Sequence, residues 1–362
     1  YRRQRQMCIR DSRGCIRGCR FCQAGYVYRP VRNRSRDLCA DYCVRSCDDT
    51  GYQEVTLSSL STSDYPPLTD LCDELEPFCD ARHVSLSLPS LRADNFSMDL
   101  MQRLAKGRKT GLTFAPEAGT QRLRDVINKN VTLEDLLQSC RTAFAGGYSA
   151  VKLYFMLGLP TETDEDVLGI AEVASHVMHA WRESASNKNR GVRITVSTSW
   201  FVPKAHTAFQ WEPQIPKEEY ERRVKLLREN MLTKSVTYNW HPSPTSFMEA
   251  VISCGDRRLG KVIETAWRKG ETLSAWEDYF DLNRWMEAFE ECGLDPHFYA
   301  NRRRSYEEIA PWSHIDMLVS REFLIEENKR AHAGVTTPNC REKCSSCGVA
   351  KCVGGEICRA IR

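Results

Sequence analysis

Three cysteines near the start of the chain constrain it more than any other feature. They lie within the nine residues GCIRGCRFC (residues 14–22), where Cys15, Cys19 and Cys22 have the spacing C-x3-C-x2-C. Three thiolates from one short loop can hold three corners of a cubane iron–sulfur cluster and leave the fourth iron open, whereas clusters that only carry electrons are held by four cysteines. The two glycines of the segment allow the backbone to wrap closely around such a core. The spacing therefore predicts a cluster with an open iron.

A zinc site is the alternative for these three thiols. Zinc takes four ligands, and the next cysteine, Cys39, follows a long basic stretch. The spacing therefore favours a cluster over a zinc loop.

The cysteine segment resembles the C-x3-C-x-aromatic-C motif of the radical-SAM superfamily. In that superfamily the free iron binds the amino and carboxylate groups of S-adenosylmethionine, and one electron cleaves a carbon–sulfur bond to give a 5′-deoxyadenosyl radical. The resemblance implies an enzyme with a [4Fe–4S] cluster on Cys15, Cys19 and Cys22. It also implies S-adenosylmethionine and an electron donor such as flavodoxin or ferredoxin as partners, together with a substrate that the motif does not identify.

Composition sets the remaining limits. The chain has 362 residues, a net charge of +3 that favours no particular partner, and 17 cysteines. No run of ~18 apolar residues is present, so no membrane span is expected. Because no secretory signal is recognisable and three cysteines have cluster spacing, we expect a reducing, cytoplasmic location.

The first twelve residues, YRRQRQMCIRDS, have no apolar periodicity and resemble a translated sequencing-adapter peptide. We expect residues 1–12 to be a non-native leader. The natural N-terminus and the strand before the cysteine loop would then be missing. The expected divisions after it are a core at 13–215, a mostly helical region at 216–335 and a cysteine-rich tail at 336–362.

Between Arg13 and Trp211 short β-like segments alternate with helical ones, a pattern typical of α/β folds with a parallel sheet. The strand candidates are Glu54–Ser58, His83–Leu88, Gly111–Ala115, Ala150–Leu157 and Val192–Trp200, with a further candidate at Ser235–Trp240. The helix candidates are Ser35–Asp48, Leu68–Cys79, Ser97–Lys106, Thr120–Asn128, Thr132–Ala145, Asp164–Glu183, Glu218–Met231, Ser246–Val251, Arg258–Lys269 and Asn283–Glu291. With the missing strand added, the resemblance implies a partial (βα)6 TIM-like barrel.

Active sites of parallel α/β folds lie at the carboxyl ends of the strands, and three polar residues there are candidate cofactor contacts. Ser59 lies where the superfamily has a Gly-Gly-Glu-like turn for the amino group of methionine. This segment has no glycine pair, so hydroxyls and carbonyls would accept the ammonium, or the turn only caps the next helix. Arg92 can pair with the carboxylate or with a surface acid. Glu117 can accept bonds from a ribose diol or supply charge to the following helix.

Three apolar or glycine positions complete the predicted cofactor site. The resemblance places Phe21 near the adenine, with anchoring in the core as the alternative. Gly158, in a turn that resembles Gly-Leu-Pro-Thr-Glu, permits close approach of the backbone to a cofactor. Val202 lies in FVPKAHTAF, whose backbone would flank the adenine; His206 in the same segment is expected to be structural.

The tail carries five cysteines with the spacing C-x3-C-x2-C-x4-C-x5-C. This density predicts a second metal site, either zinc or an auxiliary cluster, with an unstructured thiol-rich end as the alternative. The expected ligands are Cys340, Cys344, Cys347 and Cys352, with Cys358 as the alternative fourth ligand.

Two other features have simple structural interpretations. Cys39, Cys43 and Cys47 are four residues apart on one helix face, so burial is expected. The basic run at 29–36 is expected to be a solvated loop, although it could also meet an acidic substrate.

Longer segments resemble one group of bacterial radical-SAM proteins that are often named as cobalamin-binding. These segments are RGCIRGCRFCQAGYVYRPVR, SLPSLRADNF, FAPEAGTQRLRDVINKN, LYFMLGLPTETDED, CGDRRL, PWSHID and TTPNCR. The resemblance implies cobalamin bound by an N-terminal region that this chain lacks, and methylation or methylthiolation as the reaction. Fold and cofactor do not fix the substrate. A non-catalytic, cysteine-rich metal-binding adaptor is the alternative function.

Overall fold

The fold is seen in a computed structural model that describes residues 8–88, 92, 112–231 and 233–359. Among these residues, seven strands run parallel in two sheets and two more form a small antiparallel ribbon. The strands are β1 (Cys8–Ile9), β2 (Ser12–Arg13), β3 (Arg32–Asn33), β4 (Glu54–Leu57), β5 (Ser85–Ser87), β6 (Leu112–Glu117), β7 (Ala150–Leu157), β8 (Arg193–Trp200) and β9 (Val236–Trp240).

The described helices fall between and after these strands. They are α1 (Gln23–Val27), α2 (Arg36–Thr50), α3 (Leu68–Arg82), α4 (Gln121–Val126), α5 (Leu133–Ala145), α6 (Asp164–Ser184), α7 (Lys217–Asn230), α8 (Ser243–Ser253), α9 (Leu259–Arg268), α10 (Leu282–Glu291), α11 (Pro296–Ala300), α12 (Arg321–His332), α13 (Val349–Val353) and α14 (Gly355–Arg359). The predicted helix Ser97–Lys106 lies outside the described residues.

The parallel strands have the order β1-β4-β5 in one sheet and β6-β7-β8-β9 in the other. Parallel neighbours need crossover connections, which helices α2, α3, α5, α6 and α7 supply. This arrangement confirms the predicted α/β class and is that of a partial TIM-like barrel. A helical region follows β9, as expected.

The strand before the cysteine loop is present, and the expectation that it is missing was wrong. Cys8 and Ile9 pair in parallel with Thr56 and Leu57 of β4, and Ile9 is buried. Two residues that were set aside as leader therefore occupy the first position of the sheet. The origin of residues 1–12 stays a prediction.

The sheet also extends beyond the predicted boundary near residue 215. Strand β9 pairs in parallel with β8, with Ile194 opposite Val236 and Thr198 opposite Trp240. The predicted strand Ser235–Trp240 therefore belongs to the sheet, which brings the parallel strands to seven instead of the expected six.

The main core lies between the second sheet and its helices. Strand β7 alternates buried and half-buried residues, and Val151, Leu153, Phe155 and Leu157 all face this core. A smaller core covers the first sheet, where Cys39, Cys43 and Cys47 of α2 are buried together. Their burial on one helix face confirms the prediction for these thiols.

The described part of the chain contains no helix that is both long and apolar enough to cross a membrane.

Candidate functional site

The cysteine loop, residues 14–22, follows β2 and ends where α1 begins. Gly14 has a φ of +80°, and a Cβ at this position would lie 2.6 Å from the carbonyl oxygen of Tyr28 and 2.9 Å from that of Pro30. Only glycine fits so close to two backbone oxygens. The loop is therefore fixed directly against the segment that follows α1.

Asn128 holds the loop from the other side. Its side-chain nitrogen donates to the carbonyl oxygens of Gly18 and Thr337, each at 3.1 Å, and its Oδ1 accepts from the N–H of Thr337 at 2.8 Å. Asn128 is fully buried, so these bonds are shielded from water. One side chain thus ties the cysteine loop to the turn after α4 and to the start of the tail.

Arg20, between the second and third cysteines, is a second buried clamp. Its Nε donates to Glu327 of α12 at 3.1 Å, and its Nη atoms donate to the carbonyl oxygens of Val126 at 2.9 Å and Val335 at 2.6 Å. Its backbone N–H donates to Ile127 at 3.0 Å. A guanidinium with no exposed surface needs such partners, and they fix the path of the loop.

The three loop thiols are half-buried. Burial raises the pKa of Cys15 to about 11, and the nearby Cys19 adds to this, although the N–H of Arg17 donates to Cys15 Sγ at 3.4 Å. Burial and Cys19 also raise the pKa of Cys22. Thiols must lose their protons to bind metal, so binding at this loop releases protons.

Across the described ranges, no three Cys, His, Asp or Glu side chains converge closely enough to share one metal ion. Zinc would need four ligands, with sulfur at about 2.3 Å from the metal. In an iron–sulfur cluster each cysteine binds a different iron, so three thiols of one loop can suffice.

Lys129 connects the cysteine loop to the end of β6. Its Nζ lies 3.0 Å from Glu117 Oε1 and 6.0 Å from the centre of the Phe21 ring. Burial by itself would lower the pKa of Lys129. The charges of Glu117 and Cys19 outweigh this effect and hold that pKa above its usual range. The predicted ribose contact Glu117 and the predicted adenine contact Phe21 therefore lie around one ammonium. Phe21 also packs against the small core at Leu123 and Phe209.

The turn after β4 contains the predicted contact Ser59, whose Oγ lies 3.1 Å from Thr62 Oγ1. The charge at this turn belongs to Asp64, which accepts two bonds from Arg17 at 3.0 and 2.7 Å and one from Ser61 Oγ at 2.7 Å. Burial would raise the pKa of Asp64, but these donors hold it below its usual range. The turn is thereby fastened to the cysteine loop.

Arg92 lies between this turn and Lys129. Its N–H donates to Ser63 Oγ at 3.2 Å, and its Nη2 donates to the carbonyl oxygen of Lys129 at 2.9 Å. Its charge also lowers the pKa of Asp64 and of Cys15. The predicted cation is therefore near the first cluster cysteine. Of the predicted turn Leu88–Arg92, only the two end residues are described.

Gly158 follows β7 with a φ of +85°, and a Cβ there would lie 2.9 Å from the side chain of Ile215. Its N–H donates to Glu162 Oε2 at 2.7 Å, and the buried Glu162 is ion-paired with Arg223 of α7. Glu162 therefore closes the turn internally.

The segment after β8 reaches the cysteine loop through Gln23, which follows Cys22 and donates to the carbonyl oxygen of Ala205 at 3.0 Å. Val202 is half-buried at the edge of the main core. His206 has a φ of +59°, burial lowers its pKa, and it lines a separate cavity of about 300 Å³.

The tail docks on the cysteine loop, where the N–H of Cys340 donates to the carbonyl oxygen of Ile16 at 3.0 Å. Three of the four predicted tail ligands, Cys340, Cys344 and Cys347, line one cavity. Cys358 lines it as well, whereas Cys352 is exposed and lies outside it. The basic run also departs from its predicted solvated state at its first residue, since Arg29 is buried.

Sequence reasoning missed several residues that organise the site. Lys129 and Asn128 belong to the stretch FAPEAGTQRLRDVINKN that carried the resemblance, but no local pattern singles them out. The ion pair of Arg20 with Glu327 joins residues 307 positions apart, and no spacing within one sequence signals such a contact.

Comparison with known proteins matches the part of the chain that contains the cysteine loop. The Radical SAM superfamily profile matches residues 9–174. The uncharacterised protein MJ0966 of Methanocaldococcus jannaschii is 29% identical over 287 residues, which cover 78% of this chain and 60% of that protein. The chain thus spans about 60% of the length of this relative.

Solved structures with some similarity include the radical S-adenosylmethionine methyltransferase TsrM from Kitasatospora setae, with cobalamin and a [4Fe–4S] cluster bound. It is 12% identical with a TM-score of 0.47, over 78% of this chain and 61% of TsrM. The cobalamin-dependent S-adenosylmethionine radical enzyme OxsB is 12% identical with a TM-score of 0.40, over 78% of this chain and 45% of OxsB.

The profile begins at β1 and covers the cysteine loop, the Asp64 turn, Glu117 and Gly158. The parallel sheet and the thiol spacing agree with it. Residues 9–174 of the chain therefore form a domain similar to the Radical SAM superfamily.

Proposed function

We propose that this enzyme binds a [4Fe–4S] cluster on Cys15, Cys19 and Cys22 and cleaves S-adenosylmethionine there to start radical chemistry. The observation that carries the proposal is the position of Lys129. Its ammonium contacts Glu117, approaches the Phe21 ring and interacts with Cys19. The candidate ribose and adenine contacts therefore adjoin the thiols that would hold the open iron.

The residues present fit both groups. Three thiols share one short loop, and the cationic side chains Lys129 and Arg92 lie close enough to interact with its cysteines. When bound, the cluster and S-adenosylmethionine supply one-electron cleavage of a carbon–sulfur bond, which gives methionine and a 5′-deoxyadenosyl radical.

The chain's own residues hold the cysteine loop in place and compensate the negative charge of the cluster. Arg20 and Asn128 fix the loop through buried hydrogen bonds, so its thiols keep their positions when metal enters. Lys129 and Arg92 offset the negative charge that three thiolates and sulfide bring into a half-buried site. This compensation lowers the free-energy cost of placing an anionic cluster there.

The methionine end of S-adenosylmethionine would lie at the Asp64 turn. There the hydroxyl of Ser59 and the carboxylate of Asp64 can accept bonds from its ammonium. Arg92 offers a guanidinium to its carboxylate. In these roles Ser59 would contact the ammonium of the methionine moiety, and Arg92 would contact its carboxylate.

The nucleoside end would lie beyond Lys129. Glu117 can accept bonds from the ribose hydroxyls, and Phe21 offers a ring face to the adenine. The turn at Gly158 and the backbone of Val202 would flank the adenine. In this proposal Lys129 orients Glu117 and makes no contact with the reacting bond.

For the reaction itself, we propose transfer of a methyl or a methylthio group, as the sequence resemblance implies. Cobalamin, if used, would be held by a segment outside these 362 residues. No observation favours the alternative of a non-catalytic metal-binding adaptor.

The test is formation of 5′-deoxyadenosine by the anaerobically reconstituted, dithionite-reduced protein, measured by liquid chromatography and mass spectrometry. We expect one 5′-deoxyadenosine per methionine, and at least a hundredfold loss in the Cys19→Ser variant. The matched control is Cys140→Ser, a buried thiol of α5 in the main core. Equal product from wild type and Cys19→Ser would contradict the proposal. With S-adenosylmethionine carrying a CD3 group, a product with CD3 alone indicates methylation and one with S–CD3 indicates methylthiolation.

A further inference from the structure

The cysteine-rich tail folds around a cavity of about 340 Å³. Four cysteines line it, namely Cys340, Cys344, Cys347 and Cys358, which we call the tail tetrad. Cys352 is exposed and does not line the cavity. The tail therefore brings together four of its five thiols and leaves the fifth outside.

This arrangement is anchored to the rest of the fold. The N–H of Cys340 donates to Ile16 of the cysteine loop at 3.0 Å, and the N–H of Ser320 donates to the carbonyl oxygen of Cys347 at 2.9 Å. Gly348 has a φ of +101°, and a Cβ there would lie 3.1 Å from the nitrogen of Ser320. Backbone contacts on both sides thus fix the positions of the tetrad.

A buried cation forms part of the cavity wall. Arg29 is only 8% exposed, and its Nη1 has no hydrogen-bond partner among the described residues. Its guanidinium lies 4.8 Å from the centre of the Tyr26 ring, and its charge interacts with the thiols of Cys340 and Cys347. A buried cation with a spare donor needs a compensating anion, which four thiolates around a metal centre would supply.

The size of the cavity decides between one metal ion and a cluster. A single zinc ion would draw four sulfurs to about 2.3 Å and leave no space between them. The cavity of about 340 Å³ far exceeds the ~10–15 Å³ that one water-sized guest needs. A cavity of this size suits a polynuclear centre, in which each thiolate binds a different metal ion.

We propose that the tail tetrad holds a second [4Fe–4S] cluster, with Arg29 as its buried counter-charge. Four cysteines fill all four iron positions, so this cluster carries electrons and does not bind S-adenosylmethionine. Cys15 of the cysteine loop lines the same cavity, so the proposed second site would adjoin the cysteine loop.

Its role rests on the proposed function of the cysteine loop. A one-electron donor of the flavodoxin or ferredoxin class is oxidised at the exposed Cys344 side, and the tail cluster is reduced by that electron. The same electron then passes to the cluster on the cysteine loop, and the tail cluster returns to its oxidised state.

The experiment uses the full chain, reconstituted anaerobically with iron and sulfide, and measures bound metal and electron paramagnetic resonance. We expect about eight irons per chain in the wild type and about four in the double variant Cys347→Ser/Cys358→Ser, which keeps only two of the four tail ligands. The control Cys352→Ser should keep about eight. Unchanged iron in the double variant, equal loss in Cys352→Ser, or one zinc per chain in place of iron would overturn the proposal.

A second variant keeps the tetrad intact and separates this proposal from the first. With Cys15, Cys19 and Cys22 all replaced by Ser, we expect about four irons and a signal that does not respond to S-adenosylmethionine. Absence of a cluster from this variant would overturn the tail site. A wild-type protein that has this signal but no S-adenosylmethionine response would instead overturn only the proposed function.

The relay has its own readout. In the double variant Cys347→Ser/Cys358→Ser, 5′-deoxyadenosine formation driven by flavodoxin should fall at least tenfold more than formation driven by dithionite, because the small reductant can reach the inner cluster directly. Equal losses with both reductants would overturn the relay role.

Discussion

Arg20 of the cysteine loop and Glu327 of α12 form an ion pair at 3.1 Å across 307 positions of sequence. Neither side chain is more than 2% exposed. The helical C-terminal region is therefore part of the scaffold that holds the predicted cluster loop. Loss of either partner leaves a buried charge without its counter-ion, which is costly in a protein interior.

We expect Glu327→Gln to lower the free energy of unfolding by about 3 kcal/mol, because Arg20 then stays buried with no anion. Bound iron after reconstitution should fall with it. Urea unfolding and iron analysis check this. The control is Glu326→Gln, whose exposed carboxylate pairs only with Arg330 on the surface and should cost about 0.5 kcal/mol or less. Equal losses of stability and of bound iron in the two variants would contradict the proposal that the Arg20–Glu327 ion pair holds the loop.

Gly14 tests the fit of the loop to its surroundings. We expect Gly14→Ala to abolish most cluster binding, because its Cβ would lie 2.6 Å from a backbone oxygen that cannot move aside. Gly51 is the control, since its φ of +71° is similar but nothing lies within 4 Å of an added Cβ. Gly51→Ala should cost only the backbone strain, about 1 kcal/mol, with full iron content. Full iron content in Gly14→Ala would contradict the account.

Lys129 tests the electrostatics of the site. We expect Lys129→Met to shift the reduction potential of the loop cluster to a more negative value, by on the order of 60 mV, because the reduced cluster loses a nearby cation. A redox titration monitored by electron paramagnetic resonance measures the shift. Lys152→Met on β7, where the lysine lies 4.5 Å from the Tyr154 ring, is the control and should leave the potential unchanged. A positive shift in Lys129→Met would contradict the proposed role.

Asp166 of α6 gives a prediction of pH dependence. It bonds the side chains of Thr120 and Arg122 and accepts from the N–H of Thr163 at 2.8 Å. Burial would raise the pKa of Asp166, but these donors hold it below its usual range. Because the folded-state pKa is depressed, this stabilisation is complete above about pH 3.8 and is lost as the pH falls through the folded-state pKa.

We therefore expect Asp166→Asn to lower the free energy of unfolding by about 1–2 kcal/mol at pH 7. The difference from wild type should shrink between about pH 4 and pH 3. Urea unfolding at several pH values checks this, with the exposed neighbour Glu165→Gln as the control. A difference that grows as the pH falls would contradict the assignment.

The fold could be predicted from sequence where local signals are strong. Strand β7 was predicted at Ala150–Leu157 and has those bounds, because its alternating burial leaves a period of two in the sequence. Strand β1 was missed because two residues carry no period, and their pairing with β4 depends on a segment 48 positions away. The pairing of β9 with β8 was missed for the same reason, because the sequence of a strand does not identify the strand it pairs with.

The site could be predicted only in part. The cysteine spacing is local, so it identified the loop thiols as cluster candidates. The contacts of Lys129 with Glu117 and of Arg20 with Glu327 are tertiary and have no local signature. The choice between Cys352 and Cys358 in the tail depends on how two short helices pack, which spacing alone does not determine.

The most direct test of the central claim is electron paramagnetic resonance of the anaerobically reconstituted, dithionite-reduced protein with and without S-adenosylmethionine. The account predicts a [4Fe–4S] signal from the wild type that changes when S-adenosylmethionine is added, and no such change when Cys15, Cys19 and Cys22 are replaced by Ser. A wild-type cluster signal that is indifferent to S-adenosylmethionine would contradict the assignment of an open iron to the cysteine loop.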